Sequence, residues 1–106
     1  MTTEVTVTIS RDHPSLPGHF PGHPVVPGVV ILGEVIDVIR QVAPGPLEIL
    51  ELPLIKFLSP LYPGEPLTIR LESAIHGERA FTCHAGGRTI ATGRMICRIM
   101  SKSPRS

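Results

Sequence analysis

Apolar positions divide the chain into two kinds of segment. From Glu4 to Ser10, Val5, Val7 and Ile9 alternate with Thr6 and Thr8, the period of two that marks a strand with one buried face. The segment after Pro27, GVVILGEVIDVIRQV, is apolar on most sides, with Glu34, Asp37 and Gln41 as a narrow polar stripe. It predicts a helix from Pro27 to about Val42 that needs cover on several faces. Pro27 suits a helix start, where its missing N–H costs nothing.

Pro-Gly-Pro at positions 44–46 ends the helix. A strand is then predicted over Leu47–Leu58, in which Pro53 demands a bulge or an edge position. Ser59–Pro66 holds the Pro63-Gly64 turn, and Leu67–Ile75 reads as the next strand. His76-Gly77 turns the chain into Glu78–Ala85, and Gly86-Gly87 turns it again into Arg88–Met100. Five strands and one long helix follow, in a single domain of residues 1–100. Residues 101–106 read as a flexible tail.

Between the first strand and the helix lies Arg11–Val26, a loop dense in proline and glycine. Its last part, GHFPGHPVVPG, sets His19 and His23 just before the helix start. The first amides of a helix lack intrahelical acceptors and sit at its positive pole, so Gly28 and Val29 are candidates to polarise a substrate carbonyl. A neutral imidazole beside them suits a base near neutral pH. His19 and His23 lie four apart, yet Pro21 and Pro24 exclude a helix there and no third ligand is in view. No metal site is expected.

HFPGHPVVPGVVIL resembles the signature of the hotdog-fold 3-hydroxyacyl-acyl-carrier-protein dehydratases, HFPGxPxxPGVLxxE, and the short aryl-polyene-type dehydratases are the nearer match in length. IKFLSPLYPGEPLTIRLE resembles the family's strand, Pro-Gly turn and next strand, and GGRTIATGRMICR its last strand. The resemblance implies an α+β hotdog fold, a curved antiparallel sheet wrapped around one long central helix. It further implies a homodimer or dimer of dimers, an acyl pocket shared between protomers, and a lyase that dehydrates acyl-carrier-protein or CoA thioesters in fatty acid or polyene-type synthesis without a cofactor. His19 would be the base.

One position departs from that pattern. The family's acid falls fourteen residues after the first motif histidine, and here that residue is Gly33. Glu34 is about 100° away around a helix of 3.6 residues per turn. Asp37 lies one turn on from Gly33 and on nearly the same face. Asp37 and Glu34 are therefore the candidate acids, while the bare Gly33 leaves room for water or a larger substrate. Two alternatives follow: a non-catalytic acyl-binding subunit, alone or paired with an active paralogue, and an acyl thioesterase in which a carboxylate directs water.

Composition narrows the partners. Apolar residues make up 42% of the 106, enough for a packed core in one domain. No acidic residue follows Glu78, whereas Arg79, Arg88, Arg94, Arg98, Lys102 and Arg105 do, a basic end that would steer an acidic carrier. One Tyr, three Phe and no Trp give no aromatic-basic interleaving for nucleic acid. Cys83 and Cys97 lack metal or redox spacing and read as reduced thiols. No apolar leader follows a basic start and the helix is too interrupted to span a bilayer, so a cytoplasmic location without membrane contact is expected.

Overall fold

The computed structural model describes residues 2–10, 25–43 and 45–100. In chain order these form β1 (Thr3–Thr8), α1 (Gly28–Val42), β2 (Leu47–Phe57), β3 (Pro66–Leu71), β4 (Glu78–Ala85) and β5 (Arg88–Ile99). The strands make one antiparallel sheet in the order β1-β3-β4-β5-β2, leaving β1 and β2 at its edges.

Alternation in β1 has the predicted consequence. Thr3, Val5 and Val7 are half-buried while Glu4, Thr6 and Thr8 are exposed. Both of the conditions set for Pro53 are met: β2 is an edge strand, and its register with β5 shifts between Ile49 and Glu51 and again between Glu51 and Leu54. An irregular edge is where a residue without an N–H does least harm.

The third strand is shorter than predicted. β3 stops at Leu71, and only Ile75 returns to bridge Glu78. His76 (φ 52°) and Gly77 (φ 81°) form a tight reversal in which the amides of Ile75 and Glu78 each donate to the other's carbonyl at 2.9 Å. Two consecutive positive φ values are what a primed hairpin turn requires. Gly86 and Gly87 (φ 55° and 78°) repeat the device between β4 and β5.

The helix occupies the predicted residues, and at 15 residues it is a short helix and not a long one. Its stop is local: Ala43 is extended (φ −70°, ψ 144°), as suits a residue that precedes proline in the sequence. Ile31, Val35, Val38 and Ile39 are the buried residues of the helix, and the core is completed by Leu67, Ile69 and Leu71 of β3, Phe81 and Cys83 of β4, and Ile90 and Met95 of β5. The sheet covers a single face of the helix. Val29, Asp37 and Arg40 on the opposite side are exposed.

The sheet also explains why Gly93 has no side chain. A Cβ there would lie 2.6 Å from the Leu54 carbonyl oxygen of β2 and 2.6 Å from Cζ of Phe81 on β4. Two neighbouring strands close over this point of β5.

Candidate functional site

An open cleft of about 450 Å³ lies at the N-terminal end of α1. Gly28 and Ile31 line it from the helix, Val26 from the segment leading in, and Phe57, Leu58 and Leu61 from the segment that follows β2. Its walls are mostly apolar, while the start of the helix supplies outward-pointing amides and a positive pole. The Pro27 carbonyl accepts from the amides of Val30 (3.0 Å) and Ile31 (3.3 Å). No side chain caps this end and no acid sits in the first turn, so nothing in the helix itself competes for those amides.

Gly28 lets the cleft wall close on the helix. A Cβ at Gly28 would come within 2.8 Å of Phe57 Cζ, so the ring stands directly against the backbone of the first helical residue. Phe57 is nonetheless half exposed. It forms an apolar rim beside the helix amides.

The wall is fixed by backbone hydrogen bonds. The Val26 amide donates to the Leu61 carbonyl at 2.8 Å, and the Leu58 amide donates to the Ile90 carbonyl at 2.8 Å. Arg88 adds a side-chain clamp. Its Nη2 donates to Glu65 Oε1 at 2.8 Å and to the Pro60 carbonyl at 3.0 Å, and its Nη1 donates to Glu65 Oε2 at 3.1 Å. The Tyr62 amide donates to the same carboxylate at 2.9 Å, and the guanidinium lies over the Tyr62 ring. The Arg88 bond, with the Tyr62 amide behind it, holds the Glu65 carboxyl below its ordinary value. Neither residue stands out in the sequence, since Pro63-Gly64-Glu65 and Gly86-Gly87-Arg88 look like two unrelated turns.

Of the candidate residues, His19 and His23 lie outside the described residues. Gly28 lines the cleft. Val29 is not among the residues that line the cleft, and its side chain is 78% exposed. Gly33 has open space around the position of a Cβ, with no atom within 4 Å. Asp37 is exposed on the same side of the helix, and Glu34 is half-buried around to one flank. At 1.5 Å per residue, Glu34 and Asp37 stand about 9 and 13 Å along the helix axis from Gly28. Asp37 lies on the side of the helix away from the cleft, whereas Glu34 is the i+3 neighbour of the lining residue Ile31, and neither carboxylate is among the lining residues.

The other titratable groups of note are thiols. Burial pushes Cys83 up to about 12. It also raises Cys97, partly opposed by the charge of Arg79. Neither has the environment of a nucleophile. Among the described residues no three His, Cys, Asp or Glu side chains gather as a metal site, and no helix is long and apolar enough to cross a membrane.

Comparison with known proteins places this geometry. A family model described as ApeI-like, ApeI dehydratase, matches residues 1–94. The chain is 31% identical to the 3-hydroxyacyl-[acyl-carrier-protein] dehydratase FabZ of Granulibacter bethesdensis, a match over 92% of this chain and 64% of that protein. It thus spans somewhat less than two thirds of that curated relative. Among solved structures, the dehydratase heterocomplex ApeI:P from Xenorhabdus doucetiae matches with a TM-score of 0.80 at 20% identity, over 91% of this chain and 86% of that one. An uncharacterized protein from Erwinia carotovora subsp. atroseptica matches equally well, with a TM-score of 0.80 at 27% identity, over 93% of this chain and 84% of that one. These likenesses establish the hotdog fold.

Proposed function

The chain belongs to the ApeI-like dehydratase family, and from that premise we propose that it removes water from 3-hydroxyacyl thioesters held on an acyl carrier protein or CoA. The observation that carries the reading is the cleft at Gly28, apolar along its walls and open to the first amides of α1. An acyl chain would lie against Phe57, Leu58 and Ile31. The thioester oxygen would accept from the amides at Gly28 and Val29, which stabilises the enolate-like charge that develops when the C2 proton leaves. His19, the motif histidine, is the proposed base for that proton.

The acid that helps the C3 hydroxyl depart is then a question of distance. With Asp37 on the far side of its own helix and neither carboxylate among the lining residues of the cleft, the reading draws on a carboxylate of a second copy. The β2 edge supports such pairing: Leu50, Leu52, Leu54, Phe57 and Leu58 are all exposed along it or just beyond it. Unpaired backbone groups flanked by leucines favour a further strand. A homodimer in which the helix of one copy approaches the cleft of the other would bring Asp37 or Glu34 into use. Soluble fatty acid or polyene-type synthesis in the cytoplasm is the setting proposed.

The empty space at Gly33 favours a second reading, an acyl-binding subunit without an acid of its own. The ApeI:P structure is described as a heterocomplex, and this chain would be the partner of an active paralogue in the same manner. Purified protein given 3-hydroxyacyl thioesters on a carrier and on CoA, with products read by mass spectrometry, separates the readings. Enoyl thioester that disappears in His19→Ala supports the dehydratase. Binding without turnover supports the subunit, and free acid with released thiol would indicate a thioesterase.

A further inference from the structure

A second cleft, of about 380 Å³, opens at the other end of the helix between α1 and the ends of β2, β4 and β5. Ile39, Ala43, Leu47, Cys97 and Ile99 give it an apolar lining, and Arg79 is its charged member. Its volume falls in the range of about 300–1,000 Å³ usual for small-molecule sites. From Gly28 to Val42 the helix rises about 21 Å, so this cleft is separate from the one at Gly28.

Arg79 is unlike the other arginines of the sheet. Arg70, Arg88, Arg94 and Arg98 each meet a glutamate, Glu72, Glu65, Glu78 and Glu48 respectively. Arg79 has no carboxylate partner among the described residues, and its Nη1 donates to the Glu72 carbonyl at 3.1 Å. It is half-buried, on the same face of β4 as the core residues Phe81 and Cys83. A guanidinium carries five donors in a planar fork that fits a carboxylate, and that of Arg79 meets none among the described residues. Arg79 and Cys97 both line the cleft.

We propose that this cleft is a binding site for a small alkyl carboxylic acid, its chain among Ile39, Leu47 and Ile99 and its carboxylate on Arg79. A polyanion is a poorer match, because the last turn of α1 presents its negative pole here and Arg79 is the single cation among the described lining residues. An uncharged alkyl chain would leave the guanidinium as it is now. The site is independent of the dehydratase reading, and either can fail alone.

Cys97 provides the readout. Octanoate, octanol and inorganic phosphate are each titrated into the full-length protein, and alkylation of Cys97 by N-ethylmaleimide is followed by peptide mass spectrometry, with calorimetry for affinity. Octanoate should bind and slow Cys97 labelling, with octanol and phosphate far weaker. Arg79→Gln should weaken octanoate by roughly tenfold or more, the loss of a bidentate charge-assisted pair, and Arg79→Lys by less. Equal protection by octanol would reduce the cleft to an apolar hollow, and equal protection by phosphate to a bare anion contact. Either result overturns the proposal, as does octanoate binding that survives Arg79→Gln or is absent from the wild type. The three-ligand comparison on the wild type decides the matter even if the variant does not fold.

Discussion

The ring of Phe57 rests on the backbone of Gly28, so close that a single added methyl would meet Cζ at 2.8 Å. This contact joins the end of the edge strand β2 to the first turn of α1. It makes Gly28 a packing requirement of the cleft as well as a source of an amide.

Gly28→Ala tests that contact. Because the atoms it meets are the far end of a half-exposed side chain, the ring should swing aside and the thermal midpoint should change little. The cleft wall would move with it, so KM for an acyl thioester should rise. In a Phe57→Ala background the Gly28→Ala change should have almost no added effect on KM, a non-additivity expected of residues in contact. Additive effects would show that the ring and the glycine act separately.

Gly93→Ala should behave in the opposite way. Here the added Cβ meets the backbone carbonyl of Leu54 as well as Phe81, and a paired strand cannot swing aside. A loss of about 1–3 kcal/mol is expected from overpacking. Chemical denaturation would detect it as a lower midpoint with an unchanged slope. Shrinking Phe81 to Leu in the same chain should recover only part, since the Leu54 carbonyl remains.

Gly33→Glu bears on the missing acid. Nothing lies within 4 Å of the new Cβ, and replacing glycine within a helix should stabilise it by up to about 1 kcal/mol. If the chain dehydrates thioesters in a shared pocket, a carboxylate placed here should raise the rate, toward the roughly 10²–10⁴-fold that general acids and bases supply. Asp37→Asn should lower the wild-type rate if Asp37 now serves, and Glu34→Gln if Glu34 does. A more stable variant with no gain on any 3-hydroxyacyl thioester would favour the binding-subunit reading.

Glu65 makes stability depend on acid. Its carboxyl is held below the ordinary value of 4.5, first by the Arg88 hydrogen bond and then by the Tyr62 amide. A folded-state pKa below the unfolded one means that the unfolded chain takes up the proton first as pH falls. The stabilisation is therefore complete above about pH 4.5 and is lost as pH drops through the lower folded value. Glu65→Gln should be less stable than wild type at pH 7, and the gap should narrow below pH 4.5. A gap that stays constant down to acid pH would mean that the clamp owes its effect to shape and not to charge.

Much of this molecule was legible along the chain because the deciding forces were local. Period-two alternation identified β1, the Pro-Gly-Pro after Val42 ended the helix, and paired turn residues at His76-Gly77 and Gly86-Gly87 separated the last three strands. Pro53, lacking a donor, announced an irregular edge strand before any partner was known. The HFPGHPVVPG motif and the helix after it pointed to the family. What the tertiary structure decided depended on residues far apart in the chain. Arg88 and Glu65 are separated by 23 positions and meet because the β4-β5 turn folds over the segment after β2. Phe57 meets Gly28, and Arg79 shares a cleft with the end of α1 and meets no carboxylate among the described residues, for the same reason: sheet order and helix placement set those distances. Only the fold could show that Asp37 is on the exposed side of the helix, away from its own cleft, since helical spacing fixes the angle between side chains but not the face that the core claims.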